Sequence, residues 1–152
     1  MKLSSPAFEH NTMIPRKYTC EGLNINPPFT IRDVPPDCRS LALIVMDPDA
    51  PNGSFVHWVL YNIPILDVLP ENAAPGDQAP NHFGHENYDG PCPQIGTHRY
   101  LFKLYALDIR LKQQEEIAES LQNGQLKAHI MKSASLIGLY QKQTRESKYV
   151  NT

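Results

Sequence analysis

The stretch Leu41–Tyr61, LALIVMDPDAPNGSFVHWVLY, constrains the fold more than any other part of the chain. Leu41 to Met46 is an unbroken apolar run of strand length, and branched residues favour the pleated, buried environment of a sheet. Phe55 to Ile63 is apolar and aromatic again, with a single imidazole, His57, inside it. The segment between them, DPDAPNG, cannot be regular structure. Pro48 and Pro51 fix φ and remove N–H donors, and Asn52-Gly53 is a turn signal. The expectation is a buried strand that delivers Asp47 and Asp49 to its C-terminal end, then a turn, then a strand carrying His57.

The rest of the chain fits around that pair. Its 152 residues suit one domain over 1–152, large enough to bury a core. A net charge of −2 gives no electrostatic reason to expect nucleic acid as a partner. No apolar run approaches the ~18 residues of a membrane span. The start, MKLSSPAFEHNTM, has no apolar h-region, so no signal peptide is expected. Cys20, Cys38 and Cys92 have no CxxC spacing. Free thiols and a cytoplasmic, reducing location are the expectation, with a Cys20–Cys38 disulfide as the alternative. Prolines, 14 in all, are spread along the chain and predict many loops of fixed shape.

Lys2–Ser5 reads as an edge strand and Phe29–Ile31 as a short one. Residues 64–82 read as a long loop, and 83–97, FGHENYDGPCPQIGT, as another of the length and punctuation usual for functional loops. Arg99–Asp108 alternates with both faces mostly apolar, as in a central strand covered on both sides. Lys112–Gln122 is expected to be a helix stopped by Asn123-Gly124. Leu126, Ile130 and Ala134 lie at four-residue spacing and predict a second helix. Ser135–Gln141 reads as a last strand and residues 144–152 as a polar tail. The chain is thus β-rich, with sheets first and small helices late.

The polar residues near the strand ends are Asp47, Asp49, His57, His98 and Tyr100. Residues i and i+2 of a strand share a face about 6.8 Å apart, so His98 and Tyr100 point together. His57 is expected to share a face with Val59 and Tyr61. Taken singly, each is an ordinary turn former or hydrogen-bonded core residue. As a group at strand ends they mark a candidate site. Divalent metal ligation by Asp47, Asp49, His57 and His98, for phosphoester hydrolysis, is the enzymatic alternative.

Five stretches resemble the phosphatidylethanolamine-binding protein family, which includes the Raf kinase inhibitor proteins, and most of all its shorter prokaryotic branch. They are residues 14–29 (IPRKYTCEGLNINPPF), 40–51 (SLALIVMDPDAP), 55–64 (FVHWVLYNIP), 88–108 (YDGPCPQIGTHRYLFKLYALD) and 129–140 (HIMKSASLIGLY). DPDAP together with GPCP…HRY is the specific combination. Gln94 and Asp89 depart from the family pattern. The resemblance implies a large antiparallel-dominated central sheet packed on a smaller sheet, with short helices near the C-terminus. It implies a non-catalytic anion pocket, without a cofactor or metal, lined by Asp47, Asp49, His57, Gly90, Pro91, His98 and Tyr100 and rimmed by Pro51, Cys92 and Pro93. The implied ligands are phosphate or phosphorylated head groups. A kinase or other regulator is the implied protein partner, and a homodimer the implied assembly.

These residue types suit that chemistry. Imidazole N–H groups and a phenol can bind phosphate oxygens, and a glycine permits close approach. A carboxylate repels phosphate, so Asp47 is expected to act through an imidazole, orienting its tautomer.

Overall fold

A computed structural model of the chain describes residues 1–113 and 116–143. Nine strands are present among them. They are β1 (Lys2–Ser4), β2 (Thr12–Met13), β3 (Phe29–Arg32), β4 (Ser40–Asp47), β5 (Phe55–Ile63), β6 (Val68–Leu69), β7 (Asp77–Ala79), β8 (His98–Leu107) and β9 (Ile130–Tyr140). One short helix, α1 (Ile117–Gln122), lies late in the chain. The large sheet has the order β2-β9-β8-β4-β5-β7 and the small one β1-β3-β6. Every pairing is antiparallel except β2 with β9.

The central position of β4 follows from its composition. All eight of its residues are buried, which only a strand paired on both edges and covered on both faces allows. On one face Leu41, Leu43 and Val45 pack with Phe102 and Leu104 of β8, beneath Leu3, Phe29, Ile31 and Leu69 of the small sheet. On the other, Ala42, Ile44 and Met46 pack with Tyr105 and Leu107, covered by Ile117 and Leu121 of α1. The burial of about a dozen such side chains, each worth roughly 1.5–3 kcal/mol, makes the β4–β8 pair the rigid base of the site.

The structure differs from the sequence expectations in several places. Helix is present over Ile117–Gln122, residues 114 and 115 lie outside the described residues, and Gly124, with φ of 86°, follows the helix as expected. The second helix is absent: Lys127–His129 is a single 3-10 turn and β9 begins at Ile130. Pairing with β8 along its whole length, from Leu107–Ile130 to His98–Tyr140, overrides the helical spacing. The 64–82 loop contains the short strands β6 and β7. Residues 144–152, expected as a polar tail, lie outside the described residues. The cysteine expectation is also corrected. Cys20 is bonded to Cys92 and Cys38 is the free thiol, so neither three free thiols nor a Cys20–Cys38 bond is found. Among the described residues no helix is long and apolar enough to cross a membrane.

Candidate functional site

The base of the site is built where β4 ends and β8 begins. The two strands pair in register as far as Met46–Leu101. One residue further, Asp47 and Tyr100 come onto the face that packs on the small sheet, and His98 joins Tyr100 by alternation. Asp47 is buried, and its Oδ2 lies 2.6 Å from Nδ1 of His98. Its Oδ1 accepts the Asp49 N–H at 2.8 Å. Both carboxylate oxygens are therefore held, and the His98 ring is fixed with Nδ1–H towards the carboxylate, leaving Nε2.

His57 reaches the same place by a different device. Val45 pairs with Trp58, but the next residue, Met46, pairs with Val56. His57 is the extra residue of a β-bulge, a device that re-aims a side chain. It does not share a face with Val59 and Tyr61. Its ring meets Tyr100 edge-on at 5.4 Å between centroids, while Val59 and Tyr61 pack on the opposite side of the sheet. The His57 Nδ1 lies 2.7 Å from the Asp89 carbonyl oxygen. Burial lowers the pKa of His57, against the raising effects of the Asp89 and Gly90 backbone and of the Asp47 and Asp89 charges. His57 is only 5% exposed.

The 81–89 loop that carries Asp89 is folded by Asn81. Its buried amide nitrogen reaches the His57 carbonyl, the Asn87 carbonyl and Asp89 Oδ2, and its oxygen accepts the Phe83 and His85 N–H groups. His85 Nδ1 adds a contact of 2.8 Å to Asp89 Oδ2. Phe83 then packs edge-on against Phe55 and His57.

Tyr100 is fully buried, and its hydroxyl has no hydrogen-bond partner among the described residues. The Cys92 backbone and Asp47 lie close without reaching hydrogen-bond geometry, and burial, with the Asp47 charge, pushes the phenol pKa strongly upward. The hydroxyl is thus a protonated donor, and a buried donor without a partner is costly.

These groups enclose a cavity of about 340 Å³. Its polar wall is Asp47, His57, His98 and Tyr100. Ala50, Pro51, Phe55, Phe83, Cys92, Pro93, Gln94 and Ile95 complete the lining. Ile95 is 85% and Phe83 48% exposed, so the mouth is apolar.

Three of the expected site residues are not part of that lining. Asp49 turns outward into a two-point clamp on Arg99, with Nε–Oδ2 at 2.9 Å and Nη2–Oδ1 at 2.7 Å, and it also accepts the Arg99 backbone N–H. Arg99 therefore points away from the cavity. Gly90 is a close-approach glycine, but towards its own chain: a Cβ there would stand 2.3 Å from the Tyr18 carbonyl oxygen. Pro91 is buried beside it and accepts the Cys20 N–H at 3.1 Å. Phe55, Phe83, Ala50, Gln94 and Ile95 line the cavity and Asn81 supports it without having been singled out as site residues in the sequence. Asn81 lies near the end of the segment read as the 64–82 loop, and nothing in the sequence marked it.

The metal alternative loses Asp49, one of its four donors, which is committed to Arg99. Among the described residues no group of three or more His, Cys, Asp and Glu could hold a cation.

The family model described as phosphatidylethanolamine-binding protein matches residues 4–141. A UPF0098 protein of Chlamydia pneumoniae is 42% identical over 93% of this chain and 99% of its own length. One from Methanothermobacter thermautotrophicus is 41% identical, with the same two coverages. Among solved structures, a phosphatidylethanolamine-binding protein homologue from Chlamydia trachomatis superposes with a TM-score of 0.87 at 38% identity, covering 93% of this chain and 97% of that one. YbcL of E. coli gives 0.82 at 27% identity, covering 93% and 98%.

Proposed function

The chain belongs to the phosphatidylethanolamine-binding protein family, and from that premise we propose that it is a non-catalytic binding protein whose cavity takes phosphate or a phosphorylated head group. The observation that carries the reading is the buried, unpartnered Tyr100 hydroxyl beside the Asp47–His98 pair. An oxyanion in the cavity would accept a hydrogen bond from that hydroxyl and from the His98 ring at Nε2. Asp47 acts through His98: its carboxylate fixes the orientation of the ring.

The absence of a built nucleophile supports the non-catalytic reading. Among the described residues the lining contains no Ser or Thr, and its one sulfur is held in the Cys20–Cys92 bond. The exposed Phe83 and Ile95 at the mouth are where a protein partner would sense occupancy. A cytoplasmic site of action has lost its cysteine argument, because a formed disulfide is the state that an oxidising compartment maintains.

Calorimetric titration with inorganic phosphate and with phosphoethanolamine tests the reading. Wild type should bind, and Asp47→Ala should bind roughly 10–100-fold more weakly, the scale seen when an orienting partner is removed from a metal site. Asp47→Ala should also keep its unfolding transition. No heat with either compound at millimolar concentration, or an Asp47→Ala protein of unchanged affinity, would overturn it.

A further inference from the structure

The cavity holds acceptors as well as donors. His57 Nδ1 faces a carbonyl oxygen, which can only accept, so that nitrogen carries the hydrogen. The ring is enclosed by Phe55, Phe83 and Tyr100, all met edge-on. The charged or titratable groups around it are Asp47 from β4, Asp89 from the 81–89 loop and Tyr100 from β8. A buried imidazole with Nδ1–H satisfied by a neutral carbonyl stays neutral, and its Nε2 is then a lone pair. Asp47 adds carboxylate oxygens to the same wall. Among the described residues neither Lys nor Arg lines the cavity, and Arg99 is drawn outward by Asp49.

From this placement of His57 we infer that the cavity selects an anion carrying its own acidic proton, which is donated to His57 Nε2. This rests on the binding function proposed above and narrows its ligand class. Tyr100 and His98 donate to one side of the anion, and His57 accepts from the other. Inorganic phosphate keeps an O–H across the neutral range. A phosphomonoester keeps one below its second ionisation near ~6. Sulfate and a phosphodiester have none, and either would set a lone pair against the His57 lone pair. Specificity of this kind comes from a repulsive contact with the wrong ligand as much as from an attractive one with the right ligand.

The test compares inorganic phosphate, sulfate and dimethyl phosphate at pH 7 by calorimetry, on wild type and on His57→Gln. Wild type should prefer phosphate to both others by at least about tenfold. His57→Gln, whose amide can turn a donor to the ligand, should lose most of that preference. Two-bond ¹H–¹⁵N spectra of the phosphate-bound wild type give an independent readout and should show a neutral His57 ring with the hydrogen on Nδ1. Sulfate binding as tightly as phosphate, or a bound His57 that is doubly protonated, would overturn the inference and leave the binding function standing. Failure of all three anions to bind wild type would remove both.

Discussion

Asp49 shows how a side chain near a site can serve it without touching its ligand. The Arg99 side chain and backbone N–H hold its carboxyl at about pKa 2, below the usual ~3.9 of an unfolded aspartate. The unfolded chain therefore binds this proton more readily than the folded one does. The contribution to stability is complete above about pH 4 and is lost as pH falls towards 2. The pair lies at the surface, with the Asp49 side chain 30% exposed, so screening keeps its effect small. Melting temperatures of wild type and Asp49→Asn should diverge at pH 5 and converge near pH 2. A gap independent of pH would mean that the clamp on Arg99 does not persist in solution. At this scale Asp47, His98 and Tyr100 were legible in the sequence, because strand alternation governs their direction. Asp49 was not: its proximity to the site was readable, but the guanidinium that takes it away lies 50 residues further along the chain.

At the scale of elements, the strands built from unbroken apolar or alternating patterns were legible, and the points where a pattern is broken on purpose were not. Alternation puts His57 on the wrong face because a bulge is one uncounted residue, created by pairing with β4 rather than by anything in FVHWVLY itself. The four-residue spacing of Leu126, Ile130 and Ala134 misleads for a related reason. Most of that segment pairs with β8, and tertiary pairing outweighs local period. The segment around Gly90 gives the clearest prediction here. Gly90 N–H donates to Asn24 Oδ1 at 2.8 Å, and its Cα faces the Tyr18 carbonyl. Gly90→Ala should thus lower stability by about 1–3 kcal/mol, the scale of an overpacked interior, because backbone and not a flexible side chain stands in the way. Urea unfolding measures this directly. An unchanged midpoint with weakened phosphate binding would restore a role for Gly90 against the ligand.

For the whole molecule, the Cys20–Cys92 bond joins segments separated by 72 residues. It ties the turn at Arg16–Tyr18 to the loop that forms one wall of the cavity. Three cysteines allow three pairings, and nothing in their spacing selects among them, so this link was not readable before the chain was folded. Closing a loop of that size restricts the unfolded chain, typically by about 2–4 kcal/mol. Unfolding in urea with and without a dithiol should reveal a loss of that order, together with weaker phosphate binding as Cys92 and Pro93 are released. Equal midpoints would mean that the bond adds no stability. The bulge at His57 has a further consequence, for inheritance rather than for stability. The site depends on one inserted residue, at one of the two points where the register of β5 against β4 shifts. An in-frame loss of that single codon would remove this shift and leave the other, between Leu41 and Leu43, as it is. The lineage can therefore discard its pocket in one genetic step while keeping the sheet, and a descendant that has done so would be recognised by a gap at position 57 and not by any decay of the core.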